Sequence, residues 1–463
     1  MTFGFISIKW LEVLFYLFII NYKDKIFDNL ERNYFFKLNI KTGRNFMKIG
    51  YACLTEGVPN TNFKRCTLKN ANRDNLLKII EHNLDSLENI IKYNIKNNIK
   101  LFRITSDLIP FGSSPANDIP WWDVFSSKLC SIGEKIKNSG MRVSMHPGQY
   151  TVLNSPNEDV VKRAIEDLNY HNRVLDSLGV GIDNKIILHI GGVYNNKGKA
   201  MEGFIDNFQP LDNKVKQRIV IENDDKSFNI GEVLKIGKIL NIPVVYDNLH
   251  NRVLPYDLSK DDKYWISLCS ETWNKEDGVQ KIHYSQQDVN KRKGAHSSTI
   301  EIKKFTEFIE EIDLDVDIML EVKDKNLSTL KCINYIREDK KVSNLEMEWS
   351  KYKYTILEHS NAHYNRIREL LKNKDEYPVL EFYNLIDEAL KKEETIGSTI
   401  NALLHVWGYF KSNATEVEKN KFTKYIKGYE DGRNSKKPIK DFLCKMALKY
   451  EEYYLLNSYY FYL

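Results

Sequence analysis

Half of the ten histidines in this chain lie at or just beyond the ends of short apolar runs. Arg142-Val-Ser-Met-His146 is one such run, and it is followed at once by Pro147-Gly148, a strong turn signal. Gln149 and Tyr150 come next. The pattern recurs in Lys185-Ile-Ile-Leu-His189, Arg218-Ile-Val-Ile-Glu222, Pro243-Val-Val-Tyr-Asp247, Gln280-Lys-Ile-His283 and Asp317-Ile-Met-Leu-Glu321. Each run reads as a buried strand, and each ends in a side chain that binds metals. His250 and His296 lie just beyond two of these ends. Imidazoles and carboxylates gathered at one place suit divalent ions such as zinc and manganese. Eight candidate ligands (His146, His189, Glu222, Asp247, His250, His283, His296 and Glu321) exceed what one ion takes, so two or three cations per chain are expected. Two ions roughly 3.5–4 Å apart can clamp the attacking and leaving oxygens of a phosphodiester.

Three further residues belong with this set. Lys281 shares a strand face with His283 by alternation. An exposed cation is the ordinary role for it. A lysine buried beside metals instead loses its proton and can take up CO2, giving an anionic carbamate ligand. Gln149 and Tyr150 place an amide and an aromatic ring on a loop at the metal rim, where they could enter a duplex and stack on displaced bases. The plainer reading is a tyrosine packed on its own loop. His82, His171, His359, His363 and His405 fall in helical patterns and read as structural or surface residues.

The elements that must position these groups alternate regularly from Met47. A first strand at Lys48-Ile-Gly-Tyr-Ala-Cys53 precedes a long amphipathic helix with Leu76, Ile80, Leu84, Leu87 and Ile91 on one face. Leu101-Phe-Arg-Ile-Thr105 is the second strand, and the six runs above supply the third to eighth. Helical patterns lie between most of them, including Ile230–Leu240, Ile302–Ile312 and residues 326–339. Ser155-Pro-Asn-Glu158 predicts a helix start with serine at the N-cap. Eight strand–helix units fit an α/β fold, the closed (β/α)8 TIM barrel, whose chemistry sits at the C-terminal strand ends. An open doubly wound sheet would need a glycine-rich phosphate loop after its first strand, and that segment has none. Beyond residue 340 no run reads as a strand. Amphipathic runs at 345–372, 379–391, 400–409, 417–429 and 439–456 predict a smaller all-α domain, so the expected layout is 1–46, 47–339 and 340–463.

The length of 463 residues allows two or three domains. A formal charge of +5, from 68 basic and 63 acidic residues, permits a nucleic-acid partner without arguing for one. Six cysteines without a CxxC pair point to reduced thiols in a cytoplasmic protein, not a disulfide framework or cysteine zinc site. In residues 1–46, the apolar stretch 3–20 is broken by Lys9 and Glu12 and is too short for a bilayer span. No signal cleavage site follows it. An over-extended start with translation from Met47 is expected, with an interfacial anchor as the alternative.

Taken together, Gly50-Tyr51, Leu101-Phe-Arg-Ile104, Leu108-Ile-Pro-Phe111, Ser144-Met-His-Pro-Gly-Gln-Tyr150, Leu188-His-Ile-Gly-Gly192, Glu222-Asn-Asp224, Asp247-Asn-Leu-His250, Lys281-Ile-His283, Gln287-Asp288 and Gly294-Ala-His296 resemble the UV-damage endonucleases. These are TIM-barrel relatives of endonuclease IV. The resemblance spans about residues 47–325. It implies a DNA repair enzyme that nicks the backbone 5′ to UV photoproducts in damaged double-stranded DNA. It also implies manganese as the first candidate cofactor, with zinc, magnesium or cobalt as others. Within it, His146, His189 and Glu222 match one metal site, with Glu222 bridging. Glu222, Asp247, His283 and Glu321 match a second, and His250 with His296 a third. Glu222 and Lys281 match catalytic positions, Lys281 as a carboxylated lysine. Gln149 and Tyr150 match residues that probe the duplex, and Tyr51 a residue lining the lesion pocket. The sequence departs from its relatives at Gly294, where the abasic-site enzymes carry aspartate, which implies a weaker third site. It departs again near Thr55, where asparagine is usual. Residues from Trp349 onward are similar to a YbgA-type helical domain of unassigned role.

Two other functions compete with this one: a metal-dependent sugar isomerase or epimerase, and a non-catalytic protein that binds damaged DNA. The first usually holds its ions mostly with carboxylates and fits five histidines poorly. For the second, a full ligand set would be superfluous. The sequence predicts a cytoplasmic, nucleoid-associated protein with no membrane partner and no obligate protein partner.

Overall fold

Eight four-residue strands pair in parallel and in sequence order, and the last pairs with the first to close a barrel. They are β1 (Ile49–Ala52), β2 (Leu101–Ile104), β3 (Arg142–Met145), β4 (Ile186–His189), β5 (Ile219–Glu222), β6 (Val244–Asp247), β7 (Lys281–Tyr284) and β8 (Asp317–Leu320). This computed structural model describes residues 47–463. The expectations for 1–46 therefore lie outside the described residues. Among the described residues, no helix is long and apolar enough to cross a membrane.

Side-chain alternation divides each strand between the barrel interior and the surrounding helices. Ala52, Leu101 and Met319 form one interior cluster. Ile187, Val220 and Val245 form another, with Trp273 packed on it. Gly50 lets neighbouring strands approach closely, since a Cβ there would lie 1.9 Å from the carbonyl oxygen of Leu101. Arg142 also faces inward. It donates to Asp317 Oδ2 at 3.1 Å, to the Asp277 carbonyl at 2.7 Å and to the Asp183 carbonyl at 2.8 Å. A buried guanidinium with that many acceptors ties together segments that apolar contact alone would leave free to slide.

The helices explain themselves locally. Arg73–Lys96 buries Leu76, Ile80, Leu84, Leu87 and Ile91, the predicted face. Ile230–Leu240 and Ile302–Ile312 form as the periodicity requires. The next helix ends at Ile336, short of the expected 339. The helix after β3 starts later than its sequence suggests. Its N-cap is Asn157, whose side chain accepts from the backbone of Asp159 and Val160, not Ser155. Asparagine caps as well as serine does, and Pro156 then precedes the helix.

Beyond the barrel, the described residues contain helices only. The run expected at 345–372 is two helices, Val342–His359 and Asn361–Leu370. Extended backbone at Ser360 breaks it, and the Ser360 side chain caps the second helix by accepting from His363. The last run divides likewise into Lys437–Lys449 and Tyr453–Leu456. Thr415 and Glu418 form a capping box at the start of Glu416–Glu430. Trp349, Tyr352 and Tyr354 are buried, so these aromatics make core. The helical part packs on the barrel through Lys331 Nζ, 2.7 Å from Asp387 Oδ1, and through Asn334, which donates to the Tyr383 hydroxyl at 2.7 Å. By its contacts Lys48–Leu463 is one compact unit.

Candidate metal centre

At the C-terminal mouth of the barrel, one carboxylate collects four imidazoles. Glu222 ends β5 and is only 1% exposed. Its Oε1 lies 2.8 Å from His283 Nδ1 and 3.6 Å from His250 Nδ1. Its Oε2 lies 3.3 Å from His146 Nε2 and 3.8 Å from His189 Nε2. Asp247 Oδ1 is 3.7 Å from His250 Nδ1, and Glu321 reaches His283 at 3.4 Å and His296 at 3.8 Å. All eight sequence-predicted ligands are thus linked at one rim.

Two triads have ligand atoms all within 4.8 Å of one another: His146, His189, Glu222, and Glu222, Asp247, His250. His250, expected together with His296, stands with Glu222 and Asp247. Asp247 caps the short helix Asn248–Val253, accepting from His250 N at 2.7 Å. That first turn folds His250 back over its own strand end, while His296 stands beside Glu321.

The donor set fits divalent cations. His189 Nδ1, Asp247 Oδ2 and His283 Nε2 are buried without a hydrogen-bond partner. Such an orphan costs about 1–3 kcal/mol, so three in one cluster mark a place built for ligands that the protein itself does not supply. The charges of these groups answer to one another. Burial pushes His146 down to about 4, which keeps the ring neutral and able to donate its lone pair. Burial also disfavours a charge on His250, but Asp247, Glu222 and Glu321 outweigh it and raise this group to about 9. Burial opposes ionisation of Glu222 as well, yet the histidines around it hold its carboxyl well below the usual carboxylate range. Asp247 shifts upward, because burial there dominates.

Lys281 is 1% exposed on the inner face of β7. Burial, with Arg142 and Arg103 nearby, holds its amine well below the ordinary lysine range, and Asp317 and Glu222 only partly oppose this. A neutral buried amine of this kind is the form that reacts with CO2. Gln149 and Tyr150 stand exposed just past His146, Tyr150 at 72%. Tyr51 is placed elsewhere. Its neighbour Ala52 packs inside the barrel, so Tyr51 faces the helices, fully buried, with its hydroxyl 2.8 Å from both Asn94 Oδ1 and Thr55 Oγ1. In that position the ring is covered by protein on all sides.

Arg103 is the one charged residue of β2. Its guanidinium bonds Glu321 Oε1 at 2.5 Å across 218 residues of sequence. With His283, it holds the Glu321 carboxyl far below its usual range against the effect of burial. The signal was present: one cation inside an otherwise apolar strand. Two asparagines were also passed over. Asn223 exchanges bonds with the backbone of Asp247, at 3.1 and 2.9 Å, and Asn248 does so with Ser285, at 3.1 and 2.8 Å. They extend strand pairing past the end of the ladder and fix the ligands' exit angles.

Comparison with known proteins agrees with this geometry. Residues 47–352 match the family model described as UV-endonuclease UvdE, and residues 353–463 match one described as a protein of unknown function, DUF1722. The boundary falls inside the Val342–His359 helix. A UV DNA damage endonuclease of Clostridium perfringens is 44% identical over 425 residues, covering 89% of this chain and 100% of its own length. One of Bacillus cereus is 33% identical over 62% of this chain and 92% of its own length. The crystal structure of SacUVDE is 39% identical with a TM-score of 0.60, covering 63% of this chain and 98% of the other.

Proposed function

The chain belongs to the UV-endonuclease UvdE family, and from that membership we propose a divalent-cation-dependent endonuclease that nicks the DNA backbone 5′ to UV photoproducts. Pyrimidine dimers and 6-4 products are its proposed lesions, and abasic sites are the secondary class to assay. The reading extends to two or three cations per chain, manganese first, and to a cytoplasmic enzyme at the nucleoid that needs no obligate protein partner. The observation that carries it is Glu222 amid four imidazoles, with an exposed Gln149–Tyr150 pair directly following one of those ligands.

His146, His189 and Glu222 would hold one cation, and Glu222, Asp247 and His250 another, with His283, Glu321 and His296 completing the set. Bound cations would supply Lewis-acid activation of water and neutralisation of phosphate charge. Glu222, shared by both triads, fixes their spacing. Arg103 holds Glu321 ionised and aimed at His283 and His296. Lys281, if carboxylated, adds an anion from below. Gln149 and Tyr150 would enter the duplex beside the displaced nucleotides, the ring stacking on neighbouring bases.

Nicking of UV-irradiated supercoiled plasmid, with and without a chelator and with manganese restored, tests this. Cleavage that depends on both irradiation and cation is expected. A protein that binds irradiated DNA without cutting it under manganese, or that isomerises sugars instead, would overturn the proposal.

A further inference from the structure

The probing loop is held at both ends by one buried helix face that the metal centre does not use. Asp167, Tyr170 and His171 occupy positions i, i+3 and i+4 of the helix Glu158–Ser177, which puts them on one side of it. At the far end of the loop, Thr151 Oγ1 donates to Asp167 Oδ2 at 2.6 Å. The other carboxylate oxygen, Oδ1, accepts from Ser113 Oγ at 2.8 Å. At the near end, Ser106 Oγ donates to the carbonyl of His146 at 2.8 Å, and His171 Nε2 lies 2.9 Å from that same hydroxyl. His171 Nδ1 donates to the Asp167 carbonyl at 2.6 Å, which fixes the ring. The Tyr170 hydroxyl donates to the Ser106 carbonyl at 2.9 Å and accepts from Ile109 N at 3.2 Å. Asp167, Tyr170, His171 and Thr151 are all buried, His171 completely. Between the two anchors, Gln149 and Tyr150 stand in solvent.

We infer that Asp167 is a positioning residue for lesion recognition: through Thr151 it holds the Gln149–Tyr150 loop ready, while His171 and Ser106 tie the same helix face to the His146 backbone. The inference rests on the proposed reading of Gln149 and Tyr150 as the residues that enter the duplex. A loop that must unstack bases gains from being ordered beforehand, because ordering it during binding would be subtracted from the affinity. A buried carboxylate accepting two hydroxyls suits that task, since bonds to a charged acceptor are about twice as strong as neutral ones. Helix and loop are close in sequence, and the dock uses none of the candidate ligands' side chains.

The test uses the full chain and a duplex carrying one photoproduct, with 2-aminopurine opposite the lesion. Its fluorescence reports base displacement without needing cleavage. Thr151→Val removes the loop's hydroxyl at nearly constant volume, and Thr151→Ser restores it. Asp167→Ala removes the acceptor, and circular dichroism identifies any variant that fails to fold. Thr151→Val is expected to lower the 2-aminopurine response and raise KM on the order of tenfold, the scale of one charge-assisted hydrogen bond. Bound manganese and kcat should change little, and Thr151→Ser should recover most of the response. Combining Thr151→Val with Gln149→Ala and Tyr150→Ala should cost nothing beyond the loop double variant. Additive losses, a native response in Thr151→Val, or loss of manganese in step with the response would overturn the inference. A native response in the Gln149→Ala, Tyr150→Ala variant would instead remove the reading on which it stands.

Discussion

Replacing Glu222 with glutamine keeps the shape of the side chain and removes its charge, which isolates what the shared carboxylate does. In the native protein that group is 1% exposed and sits within 3.8 Å of four imidazole nitrogens. Its amide replacement would offer one acceptor where two oxygens now serve two triads, and its NH2 would point at a ring nitrogen. Removing one partner of a buried, hydrogen-bonded charge typically costs about 3–5 kcal/mol. At roughly 1.4 kcal/mol per decade, cation affinity should fall on the order of 100- to 4000-fold. The assay is dialysis against a graded series of free manganese, followed by elemental analysis of retained metal and by nicking of irradiated plasmid. Near-UV circular dichroism checks that the barrel is intact. A variant that keeps native manganese content at the same free concentration, and cuts within about threefold of the native rate, would refute the assignment of Glu222 as the shared ligand.

Lys281→Arg carries a permanent charge and cannot form a carbamate; nicking should be lost, and the native protein should show a carbamate carbon by NMR after incubation with 13C-labelled bicarbonate. A native spectrum without that signal would leave Lys281 as a buried amine only. Gln149→Ala with Tyr150→Ala should reduce the preference for irradiated over intact plasmid while leaving metal content unchanged, and loss of metal would place the pair in the centre itself. Burial pushes the Asp324 carboxyl up to about 6 against the pull of Lys331 and Ser328, and its Oδ1 has no partner. An acid whose native pKa is raised destabilises the fold where it is ionised, above about pH 6, and that cost disappears as pH falls toward the ordinary value of about 4. Asp324→Asn retains an acceptor for Ser328, so urea unfolding should show it more stable at pH 8 by up to about 3 kcal/mol, with the advantage gone near pH 4. An advantage that does not vary with pH would contradict that origin.

The local signals in this chain were strong where physics is local. Short apolar strand runs and apolar helix faces depend on neighbours within a few residues, and they form where expected. The caps and breaks at Asn157 and Ser360 were harder, because several polar residues in a row can each serve and only the packed helix selects one. Tyr51 lies on the helix-facing side of its strand because Ala52 has the interior one.

By itself, then, the sequence determined that there would be eight strands, that their last residues would be imidazoles and carboxylates, and that an amide and a ring would follow one of them. A closed parallel barrel sends every strand the same way, so residues that end strands must meet. Tertiary structure decided the rest: that Arg103 meets Glu321, that His250 folds onto Glu222, and that His171 belongs to the loop beside the centre. Those outcomes turn on the angle at which each chain leaves its strand and on side chains far apart in sequence, neither of which any local pattern encodes.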